Sequence, residues 1–441
     1  MRLCLVEDQA ASDLEPLSLT RPVFDLLLGS SSIGHKIMHA FRLGPGLPRL
    51  GMVVRPHLGD VQRLRAPRIA VNDRGWLARG PVLVANGRWV PPLGFEPPID
   101  LDRGPWLGLC DGQPACALVG PEQAVALEPT GVGVWFDELA VKLRGRELGG
   151  EWIRRPWDLV AKNAEHLVRD FWAEGKAGQS NRHLQTTALV GPADRLFIDE
   201  TARIDPYTVF DTTNGPITVA AGAVVQPFTR VEGPSYIGPD THLFRANLRG
   251  GVTLGPNCRI GGEVEESIVH GHTNKYHEGF LGHSYVGEWV NLGAITSNSD
   301  LRNDYDEVSV PLGGDPVATG LTKVGCFLGD YTRTGMGCML NTGTAVGVMC
   351  NLLPAGRLLP KHVPSFAAVR NGRVALNSPL EQLFVTARVV AGRRGKAFSA
   401  VEERLFSDLY EQTRLERERA LLKVDEGRTD HRPILVATAG L

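Results

Sequence analysis

The chain has 441 residues, with 47 Lys and Arg against 49 Asp and Glu and a formal net charge of -2. That length allows two or three domains, and the near-neutral charge gives no electrostatic basis for binding nucleic acid or an anionic membrane. No run of 18 apolar residues occurs, and acids interrupt the first ten residues, where a signal peptide would be apolar. We therefore expect a cytoplasmic protein that holds anionic ligands with local basic side chains.

Residues 1–150 combine Pro and Gly punctuation with short apolar runs at 52–54, 69–71 and 81–85. Short strands that alternate with helical stretches are typical of an α/β sheet. We expect an α/β domain of the Rossmann-like kind in this part of the chain.

Residues 151–185 are predicted to connect that domain to the next one. Asp158 is a candidate N-cap, and a helix is predicted after it because apolar residues and one Asn follow at helical spacing. These residues are Leu159, Val160, Asn163, Leu167 and Phe171. A polar loop over 174–182 is expected to complete the connector.

Residues 186–370 contain a six-residue repeat, which is incompatible with the helical period of 3.6 and the strand period of 2. Bulky residues recur at Ile198, Ile204, Phe210, Val219, Val225, Val231, Ile237, Leu243, Leu254, Ile260, Leu328, Thr334, Leu340, Val346 and Leu352. Small residues usually follow four positions later, at Ala202, Thr208, Ala223, Thr229, Ser235, Thr241, Cys258, Thr332, Cys338, Thr344 and Cys350. Two inward positions per six residues predict the short strands and turns of a parallel β-helix, whose stacked coils share one core.

The seven cysteines include no CxxC pair. Cys258, Cys338 and Cys350 occupy the small inward position, and Cys326 lies in the same phase. They are therefore predicted to be core side chains in a reducing compartment.

The repeat is predicted to break twice, and loops on a regular scaffold often carry function. The first break, 263–283, contains four of the twelve histidines, and the second, 296–323, is long and polar. One of these histidines could be a general base, His270 and His272 could bind zinc, or the histidines could be solvated loop residues.

After the last coil, 360–378 is expected to leave the β-helix as an irregular segment. Residues 371–441 are predicted to form a helical tail, with one helix over 400–424. The mixed-charge run 414–419 is expected on its solvated side.

Four segments resemble the acetyltransferase domain of the bifunctional UDP-N-acetylglucosamine pyrophosphorylase/glucosamine-1-phosphate N-acetyltransferase family, in its alternative bacterial and archaeal branch. They are 262–269 (GEVEESIV), 277–294 (HEGFLGHSYVGEWVNLGA), 301–304 (LRND) and 323–330 (KVGCFLGD). The resemblance covers about 150–370. It implies a left-handed parallel β-helix that forms a homotrimer with active sites between subunits, with acetyl-CoA as donor and an amino-sugar 1-phosphate as acceptor.

The same resemblance implies roles for individual residues. His277 stands in the position of the catalytic histidine, and Asn291 matches an asparagine that lines the sugar site. In the acetyl transfer, either Asn291 or a backbone N–H could stabilise the oxyanion, so Asn291 is a second catalytic candidate. The arginine that holds the sugar phosphate would be Arg245 or Arg249. Further substrate-binding candidates are Lys275, Phe280, Asn298, Arg302 and Lys323. Phe280 replaces a family tyrosine, and glutamates replace a family lysine within 263–266, so the acceptor is expected to differ in detail.

The front domain resembles a nucleotidyltransferase at 15–23 (EPLSLTRPV) and 84–88 (VANGR). Val23 replaces the family's catalytic lysine, and Arg88 replaces the aspartate that holds Mg²⁺. Since phosphoryl transfer depends on such groups, two interpretations remain open. The domain either transfers nucleotides with Mg²⁺ or is a binding or structural relic. Candidate nucleotide ligands are Arg21, Lys36 and Asn86.

The leading hypothesis is an acetyl-CoA-dependent N-acetyltransferase for an amino-sugar phosphate or a nucleotide sugar, on the route to UDP-N-acetylglucosamine. No metal site is predicted outside an active front domain. The alternatives are a non-catalytic β-helical scaffold or sugar-nucleotide sensor, and a zinc protein that uses His270 and His272.

Overall fold

The computed structural model describes residues 2–42, 49–96, 104–179 and 187–425. Its front part is a seven-stranded mixed sheet, as the α/β prediction requires. The strand order is Gly145–Glu147, Trp106–Cys110, Gln113–Val119, Val82–Asn86, Leu3–Val6, Leu50–Val53 and Ala70–Val71. The described helices around it are Ile33–Ala40, Gly59–Arg65, Arg74–Leu77, Pro121–Val125 and Val132–Lys142.

Three central strands of this sheet run parallel, and their carboxyl ends meet at one edge. Leu3–Val6 pairs with both Leu50–Val53 and Val82–Asn86. In open α/β sheets this edge is the usual place for a ligand. Glu7 and Asp8 follow the first of these strands and therefore lie at that edge.

The connector helix spans Pro156–Ala173 and begins earlier than predicted. Arg155 is the N-cap and Pro156 the first helical residue, a position where proline costs no hydrogen bond. Asp158, predicted as the cap, lies in the first turn instead, and its carboxylate accepts the backbone N–H groups of Arg154 and Arg155. The predicted loop after the helix is described only as far as residue 179.

Residues 187–370, apart from a loop described below, wind into a β-helix with three faces, each built from parallel strands. Face 1 contains Leu196–Ile198, Ile217–Val219, Ser235–Ile237, Val252–Leu254, Ile268–Gly271, Tyr285–Glu288, Cys326–Leu328, Thr344–Val346 and His362–Val363. Face 2 contains Arg203–Ile204, Val224–Val225, Asn274–Lys275, Arg333–Thr334, Asn351–Leu352 and Ala367–Arg370. Face 3 contains Ala188–Val190, Val209–Asp211, Arg230–Glu232, Phe280–Gly282, Ser297–Asn298 and Met339–Leu340. The longer strands His242–Arg249 and Arg259–Glu265 bend from face 2 to face 3.

The six-residue repeat is confirmed by burial. Of its bulky positions all are buried except Ile204 and every small position is buried, including those of Cys258, Cys338 and Cys350. All seven cysteines are free and buried, and burial raises the pKa of Cys258 to about 12, which keeps its thiol protonated. The fold class is therefore confirmed: an α/β domain, a left-handed parallel β-helix and C-terminal helices.

The first predicted break is wrong. Residues 263–283 continue the coils, with Val264, Val269 and Leu281 inside. The repeat is not visible in the sequence there for two reasons. Some corners between strands contain only two residues, which shortens the six-residue period, and Lys275 occupies an inward position that is elsewhere apolar. The second break is confirmed with both bounds displaced by two or three residues toward the C-terminus, since the chain leaves the coils after Asn298 and returns at Cys326. The loop contains a hairpin of Ser309–Leu312 and Asp315–Ala318.

The predictions for the tail need four corrections. Residues 360–378 are not irregular: they contain two coil strands and Arg373–Leu376, which pairs antiparallel with Ala367–Arg370. A helix at Leu380–Gly392 was not predicted, and the predicted single helix is two, Ala400–Gln412 and Arg414–Asp425. Within the charged run, Arg417 is buried, because its guanidinium packs 4.0 Å from the ring centroid of Tyr410. Residues 426–441 lie outside the described part.

The front domain packs along face 1. Ile268, Tyr285 and Phe327 point outward from this face, yet all three are fully buried and share a core with the front domain. The Tyr285 hydroxyl accepts the Leu27 N–H at 2.9 Å, and the ring of Phe327 lies 6.4 Å from that of Trp157 in the connector helix. The two halves of the chain are therefore one packed unit.

The C-terminal helices dock on the corner between faces 1 and 2. Successive coils place His272, Trp289 and Tyr331 at this corner, each with positive φ. His272 and Trp289 stack with ring centroids 4.3 Å apart, and Tyr331 stacks on Trp289 at 5.9 Å. Phe398 and Phe406 meet Tyr331 edge-on. Aromatic contacts of this kind add stabilisation beyond area burial, so this column anchors the tail.

None of the helices within the described ranges is long and apolar enough to cross a membrane.

Glu15 makes the junction between the front domain and the tail sensitive to pH. Burial, opposed by Arg55 and reinforced by Glu416 and Asp13, raises the pKa of Glu15 to about 7. The folded state therefore holds this proton between the ordinary pKa and pH 7, whereas the unfolded chain releases it. We expect stability to fall as pH rises through this window, on the order of 2 kcal/mol. In Glu15→Gln, the midpoint of thermal unfolding should fall less between pH 5 and 8; profiles parallel to wild type would contradict this.

Candidate functional site

His277 lies on the corner between faces 2 and 3, two residues after the strand Asn274–Lys275. Its side chain is exposed, and its ring centroid lies 5.8 Å from that of Tyr276. Tyr276 in turn stacks on Phe244 of the coil below, with centroids 4.9 Å apart. A stacked aromatic pair thus supports the backbone that presents His277 to solvent.

Asn291 lies on face 2, one coil above Asn274, and points outward. Its backbone bridges Asn274 on one side and Arg333 on the other. The Asn274 Nδ2 donates to the Asn291 Oδ1 at 3.3 Å, and the Asn291 side chain is exposed. His277 and Asn291 therefore belong to adjacent coils at the same side of the β-helix, as a shared site requires.

The structure distinguishes the two candidate phosphate-binding arginines. Arg249 is bound by two carboxylates, with its Nη1 3.1 Å from both Glu263 and Glu265. Arg245 is exposed on the same corner as His277, and within the described residues no carboxylate pairs with it. Arg245 is thus the arginine available to a phosphate, since a guanidinium that already holds two carboxylates has few donors left.

Lys275 does not face the surface, which corrects its interpretation as a substrate ligand. Its side chain points into the β-helix and is 2% exposed, in register with Ile260. Its Nζ donates to the Gly261 carbonyl at 2.7 Å and to the His277 carbonyl at 3.3 Å. Burial lowers the pKa of Lys275 to about 8. Lys275 therefore ties together the backbone of two successive corners, one of which carries His277.

Asn298 is also buried, and its amide group bonds to both the N–H and the carbonyl of Gly282 at 2.9 Å. It therefore closes the coil before the loop rather than meeting a ligand. Arg302 pairs with Asp304 in the exposed loop, and the Lys323 Nζ lies 4.0 Å from Glu265. Phe280 is half-buried on face 3, and Gly282 leaves room beside its ring. These four residues lie away from the face that presents Asn291.

His283 and Asp300 form a pair that the sequence did not reveal. The His283 Nδ1 lies 2.8 Å from the Asp300 Oδ2, and both side chains are mostly buried. Although burial opposes it, the bond from His283 lowers the pKa of Asp300. The two residues are 17 positions apart, which is the length of one coil here. Residues one coil length apart lie next to each other on adjacent coils, so this spacing could have predicted the pair. A carboxylate that orients an imidazole is a common feature of general bases.

His270 and His272 do not form a zinc site. Both ring nitrogens of His270 are engaged, by Arg21 at 2.9 Å and by the Asp25 carbonyl at 3.1 Å. His272 stacks on Trp289 and burial lowers its pKa, so it is neutral at physiological pH. Among the described residues no group of three His, Cys, Asp or Glu could hold a metal ion.

The predicted nucleotide ligands of the front domain are all engaged elsewhere. Arg21 pairs with Asp330 of the β-helix, and Lys36 pairs with Asp170 of the connector helix at 2.5 Å. Asn86 donates to Asp8 at 2.8 Å. None of these groups faces a free nucleotide site in the described structure.

The residues at the carboxyl edge of the sheet do not fit Mg²⁺. Arg88, in place of the family aspartate, grips both oxygens of Asp8 at 2.8 and 2.5 Å. Mg²⁺ prefers oxygen ligands with little competing positive charge nearby. Val23 is buried, and its N–H is bonded to the Glu7 carboxylate at 2.9 Å. This edge is therefore closed by internal pairs.

Comparison with known proteins gives matches over parts of the chain. Residues 3–176 match the family model described as sugar nucleotidyl transferase. A bifunctional sugar-1-phosphate nucleotidylyltransferase/acetyltransferase from Sulfurisphaera tokodaii is 32% identical over 120 residues, 27% of this chain and 28% of that relative. The bifunctional protein GlmU of Acaryochloris marina is 30% identical over 186 residues, 41% of this chain and 36% of that relative. This chain thus spans about a third of the length of these relatives.

Similar solved structures include a Francisella novicida UDP-N-acetylglucosamine acyltransferase, with 15% identity, a TM-score of 0.33, and coverage of 48% of this chain and 73% of that one. A glucose-1-phosphate thymidylyltransferase from Bacillus anthracis has 13% identity and a TM-score of 0.29, covering 38% of this chain and 95% of that one. The pairing of parallel strands described above defines the fold independently of these two structures. Over residues 3–176 the chain is therefore similar to sugar nucleotidyl transferases, and part of its length is similar to bifunctional nucleotidyltransferase/acetyltransferases of the GlmU type.

Proposed function

We propose that this protein is a cytoplasmic, acetyl-CoA-dependent N-acetyltransferase that acts on an amino-sugar 1-phosphate during UDP-N-acetylglucosamine synthesis. The observation that carries the proposal is the placement of His277, Asn291 and Arg245 on one side of the β-helix, around the corner between faces 2 and 3. We propose that residues 186–370 perform this chemistry. Residues 1–150, 151–185 and 371–441 would then support it as front domain, connector and tail.

The chemistry requires a base and a stabiliser of negative charge. The His277 imidazole would take a proton from the acceptor's ammonium group, because only the neutral amine has the electron pair that attacks the thioester carbon. The carbonyl electrons move onto oxygen, where the Asn291 Nδ2 can donate to the oxyanion. When the carbonyl re-forms, the carbon–sulfur bond breaks, the nitrogen loses its second proton to water, and His277 returns the first proton to the leaving thiolate. The products are an amide and free coenzyme A.

The acceptor's phosphate would bind Arg245. This guanidinium lies 5.3 Å from the ring centroid of Phe244, which orients it across the corner. Arg245 is exposed and pairs with no carboxylate in the described part of the chain, which supports this role, whereas Arg249 is already neutralised by Glu263 and Glu265. A planar guanidinium suits phosphate because it can donate two parallel hydrogen bonds.

We propose that three copies of the chain assemble through the corner between faces 2 and 3. This corner exposes a column of large apolar side chains, namely Tyr207 at 74%, Phe228 at 70%, Ile295 at 61% and Met336 at 66%. Tyr207 and Phe228 lie on one side of the coils that carry Arg245 and His277, and Ile295 and Met336 lie on the other. Exposed apolar patches of this kind mark a protein interface. Because His277 shares the corner, a neighbouring copy would cover the site and exclude water from it. Light scattering should give three times the chain mass of 47.9 kDa.

The first test is release of free thiol from acetyl-CoA by the full-length protein in the presence of glucosamine 1-phosphate. Saturable release is expected, with weaker rates on glucosamine 6-phosphate, whose phosphate lies at the other end of the sugar. Absence of release with every amino sugar, together with no saturable heat on titration with acetyl-CoA, would contradict the transferase. That result would support a non-catalytic scaffold instead.

Nucleotidyl transfer by the front domain is a second candidate function, supported by the match of residues 3–176 to the sugar nucleotidyl transferase family. The engaged side chains of Arg21 and Lys36 and the pairing of Arg88 with Asp8 favour a structural role instead. The two roles are distinguished by an assay with UTP, N-acetylglucosamine 1-phosphate and Mg²⁺. Release of pyrophosphate supports nucleotidyl transfer, and no release supports a structural role.

A further inference from the structure

A chain of hydrogen bonds leads from the tail to Asn291. Arg394 lies in the loop that joins the helices Leu380–Gly392 and Ala400–Gln412. Its Nη2 donates to the Asn274 Oδ1 at 2.5 Å, and the Asn274 Nδ2 donates to the Asn291 Oδ1 at 3.3 Å. The loop is held in place by Phe398, which packs edge-on against Tyr331.

The order of donors in this chain follows from the chemistry of arginine. A guanidinium can only donate, so Asn274 must present its oxygen to Arg394. What remains for Asn291 is the NH₂ group of Asn274, which also only donates, so Asn291 must present its own oxygen. The NH₂ group of Asn291 is therefore turned outward. Within the described structure no acceptor is bonded to it.

We propose that Arg394 and Asn274 are positioning residues that fix the amide of Asn291 with its NH₂ group toward the reacting thioester oxygen. The inference rests on the proposed acetyl transfer and extends it to the tail. Without Arg394, either orientation of the two amides satisfies the Asn274–Asn291 bond. In the reversed orientation Asn291 presents a carbonyl oxygen, which repels the oxyanion rather than stabilising it.

Arg394 makes no ion pair among the described residues, so the contact with Asn274 is its main interaction. Burial and the nearby Arg259 lower the pKa of Arg394. The Arg394 guanidinium donates to a neutral amide, and that amide in turn holds Asn291. This supports a role in orienting the site.

The test uses three variants of the full-length protein in the thiol-release assay. Arg394→Met is expected to lower kcat about tenfold with unchanged KM for both substrates. Asn274→Asp keeps an acceptor for Arg394 but cannot donate to Asn291, so its loss should approach that of Asn291→Ala, roughly 10²-fold. Arg394→Lys should restore activity in part. The matched control is Arg393→Gln, which removes the exposed neighbouring cation and should behave as wild type.

A double variant separates positioning from direct binding. If Arg394 acts through Asn291, adding Arg394→Met to Asn291→Ala causes no further loss. The proposal would be overturned if the activity losses of the two single variants multiplied in the double variant, or if Arg394→Met raised the KM for acetyl-CoA with unchanged kcat. Either result would make Arg394 a ligand of the coenzyme.

If wild type releases no thiol with any acceptor, the proposed function fails. The relay, meaning the hydrogen-bond chain from Arg394 through Asn274 to Asn291, is then tested by crystal structures. An amide of Asn291 that rotates in Asn274→Asp supports the relay, and an unchanged amide overturns it.

Discussion

Replacement of His277 by alanine is expected to lower kcat for acetyl transfer by about 10²- to 10⁴-fold, the usual contribution of a positioned base. Without the imidazole, the acceptor must lose its proton to water before it can attack the thioester. The side chain is exposed, so its removal leaves no cavity, and the fold and oligomeric state should be unchanged. Steady-state kinetics at pH 7.5, with scattering to confirm the mass, measure both effects.

His283→Ala is the informative control for this experiment. His283 is oriented by Asp300 at 2.8 Å, whereas His277 has no carboxylate partner among the described side chains. On geometry within one chain, His283 is therefore the competing base. If His283→Ala abolished transfer while His277→Ala remained active, the base would be misassigned and the site would lie on face 3. His35→Ala, an exposed histidine of the front domain, controls for general effects of the substitution.

Arg21→Met is expected to cost about 3–5 kcal/mol of unfolding free energy, because it leaves buried carboxylates without their cation. Arg21 and Asp330 are each 3% exposed in their side chains, and the Arg21 Nη2 also lies 3.4 Å from Glu288. Asp330 further accepts the Thr20 hydroxyl at 2.6 Å and the Glu288 N–H at 2.7 Å. Although burial works against it, attraction to Asp330 and Glu288 raises the pKa of Arg21. Chemical denaturation with two spectroscopic probes measures the loss.

The control for this prediction is Glu128→Gln, which breaks the exposed pair with Arg74. Surface pairs contribute about 0–1 kcal/mol, so this variant should unfold almost as wild type does. If Arg21→Met also cost less than about 1 kcal/mol, the buried pair would not hold the front domain on face 1. A separate early transition for the front domain would show which half loses stability first.

The β-helix could be predicted because its signal is local and repeated. Each inward position, from Ile198 to Leu352, is set by residues six positions away, and stacking repeats the same requirement in every coil. The prediction failed where two-residue corners shortened the period and where Lys275 replaced an apolar inward residue. There, backbone carbonyls from a neighbouring coil satisfy the ammonium group, and such partners leave no trace in local sequence.

For the site, too, local sequence predicts some residues and misses others. His277, Asn291 and Arg245 could be proposed from motifs, and their positions in the structure are compatible with those proposals. Their partners could not, because Arg394 reaches Asn274 across 120 positions of sequence. The motif predicts a nucleotide ligand at Arg21, because a motif identifies the residue type but not its partner. In the structure Arg21 faces Asp330, 309 positions away.

The packing of the front domain on face 1 also has an evolutionary consequence. Ile268 and Tyr285 would lose apolar cover if residues 1–150 were deleted, and that apolar surface would favour aggregation. A lineage that no longer needed nucleotide chemistry could therefore replace the catalytic lysine by Val23 and the metal-binding aspartate by Arg88. It could not discard the domain that carries these two positions. Selection on solubility alone would preserve the outline of a domain after selection on its catalysis had ended.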